Sequence, residues 1–334
     1  MNTRFIQGLL ALATGMSLLT SWPVQAQPTT PVSAQSYPTQ PIKLIVAFSP
    51  GTGSDILARI LAVRLGERLG VPMTVENRAG AGGIVGTQAL VKSPADGYTL
   101  TLATNATLIT SPLLTATPPY RADKDFTPVG GVARTPMVVV TSVTPQAPKT
   151  FQELVTRARD KSSSFSSAGV GTIGHLTSEV LVKKTDMASN HVPYKGSGQS
   201  LTDVARGEIL FSTDTPPAVL SLVKGGKLRA LAVTGEKRLQ VLPDTPTLHE
   251  VGLPGVNLGV WWSLMAPAGL PAAISERLGQ ELAKVVAEPE MRKKMQELEL
   301  EPMPLNATEL AQFIRTEYPF WQQFLSKSGI RLEP

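Results

Sequence analysis

The sequence contains no cysteine and only three histidines among its 334 residues. Without cysteine the chain has no disulfide, no thiolate metal ligand and no cysteine nucleophile. It also has no G-x-S-x-G nucleophile elbow and no H-x-x-x-H or carboxylate cluster at metal-ligand spacing. Its 31 Lys and Arg against 26 Asp and Glu are scattered, which argues against nucleic acid as a partner. We therefore expect a binding protein rather than an enzyme, with no metal and no cofactor.

A single long apolar run, from Phe5 to Leu19, lies near the start of the chain. It is shorter than the ~20 residues of a membrane-spanning helix. With Arg4 before it and the small-residue cleavage site Val24-Gln25-Ala26 after it, the run predicts a signal peptide over residues 1–26. Residues 27–40, rich in Pro, Thr, Ser and Gln, predict a flexible leader. We expect a monomer in the periplasm, without a lipid anchor because no cysteine follows the signal.

From Pro41 onward, β-rich apolar runs alternate with amphipathic patterns, which predicts an α/β fold with mostly parallel sheets flanked by helices. The predicted strands are 43–48, 73–76, 99–103, 137–141, 164–166, 209–213, 228–234 and 260–266. The predicted helices are 55–69, 84–92, 150–161, 173–184, 198–206, 216–224, 272–287, 289–298 and 307–328. Two strands, Met137–Thr141 and Val260–Ala266, precede Pro-containing turns and resemble crossings between lobes. They predict a first lobe of residues 41–139 and 259–334, a second lobe of residues 140–258, and a ligand cleft between them.

The stretch Ser49-Pro50-Gly51-Thr52-Gly53-Ser54-Asp55 is a glycine-rich turn between a predicted strand and a predicted helix. Such a turn points free backbone N–H groups and the positive end of a helix dipole at an anion. Ser54 or Asp55 is expected to cap the helix. No Lys-Ser/Thr follows the glycines, so a nucleotide-phosphate loop is disfavoured. The alternative is a plain tight turn.

A looser echo of this pattern occurs at Ser166–His175, where hydroxyls and glycines again precede a helix. His175 has three interpretations: a ligand contact, a local cap or an incidental surface residue. A Ser167–His175 pair with a distant Asp would suggest a hydrolase, but the elbow motif is missing. We expect two facing turns that seek an anion, one in each lobe.

Other polar residues follow predicted strands, where open α/β sheets bind ligands. Asn105 and Thr107 follow one strand, and Asp214 follows another, with Asp214 or Thr215 also a candidate cap. Gly80–Gly83 with Gly86 fails the spacing of a dinucleotide fingerprint and predicts tight helix packing instead. Of the adjacent Trp261 and Trp262, one is expected in the core and the other facing the cleft.

Several separated stretches carry a family resemblance: YPTQPIKLIVAFSPGTGSD, ENRAGAGGIVGTQALVKSPADGYTL, HVPYKGSGQSLTDVARGEI, GGKLRALAVTGEKRLQVLPDTPTLHEVGLPG and PAGLPAA. In this order, from about Tyr37 to the C-terminus, they resemble the Bug-type solute-binding receptors of tripartite tricarboxylate transporters. The resemblance implies a two-lobed periplasmic-binding-protein fold that closes on a small organic carboxylate. It implies recognition by backbone amides, hydroxyls and waters, and delivery to the membrane components of such a transporter.

Positions carried over from the family give the expected ligand-binding residues of each lobe. The first lobe contributes Phe48, Ser49, Pro50, Gly51, Thr52, Gly53, Asp55, Thr104, Asn105 and Thr107. The second contributes Ser167, Ala168, Gly169, Gly171, Thr172, His175 and Asp214. Two departures from the family pattern stand out: Thr52 in place of a second glycine, and the less polar segment 107–112. The latter suggests a bulkier, aromatic dicarboxylate over citrate.

Two other functions remain open from the sequence. A ligand-binding sensory partner of a membrane kinase would use the same closing cleft as a transport receptor. A secreted hydrolase is the second alternative, and turnover of ester or amide substrates would identify it.

Overall fold

The structure is a computed structural model that describes residues 37–328 and 330. The predicted signal peptide and most of the predicted leader lie outside the described residues. Tyr37, which falls within the predicted leader, is buried. Its hydroxyl donates to the carbonyl of Gly97 at 2.7 Å, and its ring packs against Tyr98. The chain is therefore held in the fold from Tyr37 onward.

The described strands form two sheets. The strands are β1 (Ile42–Val46), β2 (Met73–Asn77), β3 (Thr99–Thr104), β4 (Phe126–Pro136), β5 (Val138–Ser142), β6 (Ser164–Ser167), β7 (Asn190–Pro193), β8 (Phe211–Asp214), β9 (Leu228–Val233), β10 (Gly259–Pro267) and β11 (Glu301–Pro302). The first sheet has the order β11-β4-β10-β3-β1-β2, and the second has the order β7-β6-β8-β5-β9. Helices connect the strands, which confirms the predicted α/β class with two sheets.

The described helices are α1 (Gly53–Leu69), α2 (Ile84–Val91), α3 (Ser111–Leu113), α4 (Phe151–Arg157), α5 (Ile173–Lys184), α6 (Ser197–Arg206), α7 (Pro216–Lys224), α8 (Ala272–Ala287), α9 (Pro289–Glu297) and α10 (Ala307–Ser328). The predicted bounds of α5, α7, α8 and α10 are confirmed. The fourth helix ends at Arg157 rather than at the predicted Lys161, in a turn where Asp160 accepts from the backbone N–H of Ser162. None of the described helices is both long and apolar enough to cross a membrane.

The prediction of mostly parallel sheets is wrong. Among the described strands, four pairings are parallel and five are antiparallel. The chain leaves the first sheet along β4, enters the second along β5 and returns along β10. All three of these strands, β4, β5 and β10, pair antiparallel with their neighbours, an arrangement that needs no crossover helix. Their pairing makes both sheets mixed.

Strand β4 was not predicted, because its sequence contains Pro128, Gly130, Gly131 and Pro136, residues that are depleted in strands. The structure explains one of these glycines. A Cβ at Gly131 would overlap the carbonyl oxygen of Met303, because the segment before α10 crosses directly over the strand. The pairing of β4 with β10 also contains two register shifts.

The two sheets share buried surface around α5. Ile173 and Leu176, in the first turns of this helix, pack into the same apolar cluster as the first sheet's core. Met137, between β4 and β5, belongs to that cluster as well. The N-terminal end of α5 therefore lies against the first sheet, and this brings it opposite the N-terminal end of α1.

Candidate ligand-binding site

The N-termini of α1 and α5 are built by the same local pattern, Gly-Thr-x-x-Asp in α1 and Gly-Thr-x-x-His in α5. Thr52 and Thr172 are the N-cap residues, with φ/ψ of −72°/159° and −68°/155°. Each threonine hydroxyl accepts the N–H of the residue three positions on, at 3.3 Å and 3.4 Å. The echo expected between the two turns is thus confirmed in their backbone geometry.

The glycine before each threonine is also held in the same way. Gly51 donates its N–H to Asp55 Oδ2 at 3.0 Å, and Gly171 donates its N–H to His175 Nδ1 at 3.2 Å. Both glycines have positive φ, 84° and 81°. The prediction that Ser54 or Asp55 caps α1 is wrong, because the helix begins earlier, at Gly53. Asp55 instead closes the turn from inside the helix.

Beyond each cap, two N–H groups of the helix have no acceptor among the described residues: those of Gly53 and Ser54 in α1, and those of Ile173 and Gly174 in α5. All four residues line one cavity of about 50 Å³. Unpaired N–H groups at a helix N-terminus attract an anion, and the helix dipole adds to this attraction. The N-termini of α1 and α5 thus both border this cavity, and each is a candidate anion-binding wall.

The lining of this cavity is largely apolar or hydroxylic. It consists of Phe48, Thr52, Gly53, Ser54, Thr104, Ala106, Met137, Ala168, Thr172, Ile173, Gly174, Thr213, Asp214, Thr215, Val260 and Trp262. No Lys, Arg or His stands among these lining residues, and Asp214 is their one ionisable member. An anion bound here would meet backbone N–H groups and hydroxyls rather than a cationic side chain.

Seven of the predicted site residues line the cavity: Phe48, Thr52, Gly53, Thr104, Ala168, Thr172 and Asp214. The other predicted residues do not line it; they are Ser49, Pro50, Gly51, Asp55, Asn105, Thr107, Ser167, Gly169, Gly171 and His175. Several of these residues instead stabilise the turns that carry the lining residues. Asn105 Nδ2 donates to the carbonyl of Gly259, and Thr107 exchanges hydrogen bonds with Thr104.

Asp55 does not present a free negative charge to the cavity. Arg59 pairs with both of its carboxylate oxygens, at 2.9 Å and 3.1 Å, and Asn77 donates to it at 2.9 Å. Burial acts to raise the pKa of Asp55, but the hydrogen bonds from Arg59, Gly51 and Asn77 hold that pKa below its usual range. The carboxylate is thus ionised and already satisfied.

Residues that the sequence reasoning missed contribute mostly backbone. Ile173 and Gly174 offer N–H groups, which leave no side-chain signature. Ser54 stands inside the predicted turn, and Trp262 donates its indole N–H to Ser54 Oγ at 2.8 Å. Trp261 instead donates to Glu317 at 3.0 Å, on another face of the strand. Trp262 therefore lines the cavity and Trp261 does not, while a cleft between two lobes stays a prediction.

Loops of the two sheets touch around the cavity. Ser49 Oγ donates to the carbonyl of Lys195 at 2.8 Å, and Thr110 Oγ1 donates to the carbonyl of Gly171 at 2.6 Å. Gly82 lies so close to Val170 that a Cβ at Gly82 would overlap the Val170 carbonyl oxygen. The Gly80–Gly83 segment is thus a tight packing element, as its sequence predicts.

Ser167 pairs with His191 rather than with His175, at 2.8 Å to Nε2. The Ser167 hydroxyl also donates to the Gly169 carbonyl and accepts the Gly169 N–H, both at 3.1 Å, so it is held by the backbone of its own turn. Burial, together with the nearby His175, lowers the pKa of His191 to about 3. Ser167 is fully buried and does not line the cavity. These features argue against Ser167 as a nucleophile.

His175, Glu179 and His191 place potential metal-ligand atoms within 4.8 Å of one another. However, Gly171 donates to His175 Nδ1, which puts the ring proton on Nε2, 3.6 Å from Glu179 Oε1. A protonated ring nitrogen does not coordinate a metal. We therefore interpret His175 and His191 as a stacked pair of rings rather than as metal ligands. That the protein binds no metal stays a prediction.

The fold is that of periplasmic binding proteins. The periplasmic binding protein BugD has a solved structure that matches with a TM-score of 0.84 at 30% identity, covering 88% of this chain and 99% of that one. An adipate complex from R. palustris matches with a TM-score of 0.84 at 31% identity, covering 88% and 99%. MatC from Rhodopseudomonas palustris, with bound malate, matches with a TM-score of 0.81 at 26% identity, covering 86% and 100%.

Residues 57–330 match the family described as the tripartite tricarboxylate transporter family receptor. The protein BugT of Bordetella pertussis (strain Tohama I) is 34% identical over 310 residues, which cover 91% of this chain and 94% of BugT. The chain belongs to the tripartite tricarboxylate transporter receptor family, whose members are periplasmic solute-binding proteins. The resemblance found in its sequence motifs is thereby confirmed.

Proposed function

We propose that this protein captures a small organic di- or tricarboxylate in the periplasm and delivers it to the membrane components of a tripartite tricarboxylate-type transporter. One observation carries the proposal: the equivalent N-termini of α1 and α5 border one cavity, and four of its lining residues have N–H groups without an acceptor among the described residues. Two anion-binding walls suit a ligand with a carboxylate at each end. The adipate and malate bound by two structural relatives belong to that class.

The protein binds its ligand without turning it over, and it works as a monomer of two lobes. Residues 41–139 with 259–334 form one lobe, and residues 140–258 form the other. The hydrogen bonds from Ser49 to Lys195 and from Thr110 to Gly171 support the view that the described arrangement is the closed one. Because each wall belongs to a different lobe, ligand stabilises closure through contacts that are complete only in that state.

Titration calorimetry on the mature protein tests the binding step. Aliphatic and aromatic mono-, di- and tricarboxylates are compared with neutral analogues of equal size, such as succinate with succinamide. We expect a dicarboxylate or tricarboxylate to bind and its diamide to fail, with the same result in EDTA. If no carboxylate binds, or if the diamide binds equally well, the proposal is wrong.

Uptake measurements test delivery. Cells that carry the transporter's membrane components should lose uptake of the radiolabelled ligand when this gene is deleted, and regain it on complementation. Unchanged uptake in the deletion strain, together with altered transcription on adding the ligand, would point instead to the sensory alternative.

A further inference from the structure

Asp214 ends strand β8 and lines the cavity with a half-satisfied carboxyl group. Its Oδ1 accepts the N–H of Thr215 at 2.7 Å and the Thr215 hydroxyl at 3.3 Å. Its Oδ2 is buried and has no hydrogen-bond partner among the described residues. The side chain as a whole is only 6% exposed. A buried acceptor left unpaired costs free energy, so a donor that reaches this oxygen would stabilise it.

The surroundings of Asp214 offer little compensation. No Lys, Arg or His is among the residues that line the cavity. Helix α7 begins just after Asp214 with Pro216 and Pro217, which have no N–H to give. Thr215 is its N-cap residue, as the sequence predicts, but makes no side-chain capping hydrogen bond. Burial accordingly raises the pKa of Asp214. The nearby Ser197 hydroxyl acts to lower this pKa. Even so, neither Ser197 Oγ nor Asp214 Oδ2 makes a hydrogen bond with any residue that the structure describes.

The position of Asp214 relative to the N-termini of α1 and α5 determines which part of a ligand it can contact. Gly53, on the α1 wall, is packed against Thr215, because a Cβ at Gly53 would overlap the Thr215 hydroxyl. Gly174, on the α5 wall, is packed in the same way against the carbonyl oxygen of Thr213. Asp214 therefore sits between the neighbours of both walls, beside the carbon skeleton of a ligand whose carboxylates occupy them.

We propose that Asp214 Oδ2 accepts a hydrogen bond from a donor on the ligand's carbon skeleton, so that the site selects hydroxy- or amino-substituted carboxylates over unsubstituted ones. This rests on the proposed carboxylate function. A hydroxyl or ammonium group completes the coordination of Oδ2, and an ammonium group also supplies the positive charge that the lining lacks. A ligand without a donor leaves Oδ2 unpaired, and rejection of such analogues by buried polar groups is strong in general.

Matched ligand pairs test the inference in the wild-type protein. Calorimetry compares succinate with malate and aspartate, glutarate with 2-hydroxyglutarate and glutamate, and adipate with 2-aminoadipate. In the chain length that binds best, the substituted member should bind at least about tenfold tighter, the effect of one hydrogen bond to a charged group. Preference for the hydroxyl or the ammonium member identifies which donor the site takes. Equal affinities within every pair would overturn the inference and leave the carboxylate function standing. Failure of every carboxylate to bind, aromatic and tricarboxylic ones included, would refute both.

The variant Asp214→Asn supplies a second test. Asparagine keeps an oxygen for the Thr215 N–H but turns an N–H₂ group toward the ligand, so the donor preference should vanish or reverse. Affinity for the substituted member should fall at least about tenfold, while affinity for the unsubstituted member should hold or rise. Parallel loss of affinity for both members would show that Asp214 only supports the fold and would overturn the inference. If the variant folds poorly, the comparison of ligand pairs in the wild-type protein still tests the inference.

Discussion

Trp262 donates its indole N–H to the hydroxyl oxygen of Ser54 at 2.8 Å, and both side chains are buried. The bond ties the central inter-sheet strand β10 to the first turn of α1. It therefore fixes the position of Ser54, one of the four cavity-lining residues whose N–H groups have no acceptor among the described residues. Its loss should disturb ligand binding more than it disturbs the fold.

Trp262→Phe tests this relationship. The substitution leaves Ser54 Oγ unpaired and a cavity where the larger ring was, which together should cost about 2 kcal/mol of stability. It should also lower the affinity for the carboxylate ligand several-fold. Trp261→Phe is the matched control, since it removes a bond of similar length to Glu317 on another face of the same strand. We expect comparable destabilisation in chemical denaturation from both variants but weaker calorimetric affinity only from Trp262→Phe. Equal affinities would show that Ser54 does not belong to the site.

The two threonine caps are expected to act on both stability and binding. Thr52→Val and Thr172→Val each remove a side-chain acceptor for a helix N–H, at a cost of about 1 kcal/mol. They also loosen the turns that aim the unpaired N–H groups at the anion, so affinity should fall several-fold. Thr150→Val is the control, because Thr150 caps α4 in the same way outside the cavity. A Thr150→Val variant that loses as much affinity as the other two would contradict the assignment of the walls.

Gly82→Ala should prevent the loop that contains Gly82 from approaching the loop that contains Val170. A Cβ at this position would overlap the Val170 carbonyl oxygen, and the residue has φ of 61°. Gly252→Ala carries a similar backbone penalty, with φ of 91°, but its Cβ would meet nothing within 4 Å. Small-angle scattering on adding ligand should show compaction for the wild type and Gly252→Ala, and none for Gly82→Ala. Compaction in Gly82→Ala would mean that these loops do not meet in the closed state.

The stability of the protein should fall in mild acid because of His191. Its pKa is lowered from 6.5 to about 3 by burial and by His175. Above pH 6.5 the ring is neutral in both the folded and the unfolded state. As pH falls from 6.5 toward 3, the unfolded state takes up a proton that the folded state refuses. The free energy of unfolding should therefore drop, by at most about 1.4 kcal/mol per pH unit from this group.

His191→Gln separates this contribution from that of the carboxyl groups. Glutamine retains an N–H donor for Ser167 but does not titrate. Urea denaturation between pH 7 and 4 should give a shallower loss of stability for the variant than for the wild type. Superimposable pH profiles would show that His191 takes up its proton without unfolding.

Four helices, α5, α7, α8 and α10, were predictable to the residue because each has a clear boundary signal. Pro216 starts α7 and Thr172 caps α5, both of which are local signals. Strand β4 was not predictable, since Gly131 serves a tertiary contact with Met303 that no local pattern reveals. The mixed pairing of the sheets was equally hidden, because it depends on where the chain changes sheets.

The site was predictable to the level of the two turns and not beyond. The glycine and threonine pattern located Thr52 and Thr172, and the family resemblance added Asp214. The hydrogen bonds of Asp55 with Arg59 and Asn77 were not predictable, because they depend on the packing of α1 against β2. Ile173 and Gly174 act through their main chain, which any residue except proline provides.

The hydrogen bonds that join the loops around the cavity, from Ser49 to Lys195 and from Thr110 to Gly171, end on main-chain carbonyl oxygens. Replacing the side chain of an accepting residue leaves such a bond in place, provided that the backbone conformation does not change. The side chain of Lys195 can therefore change without loss of its contact, whereas Gly171 cannot gain a side chain, because a Cβ there would overlap Ser111.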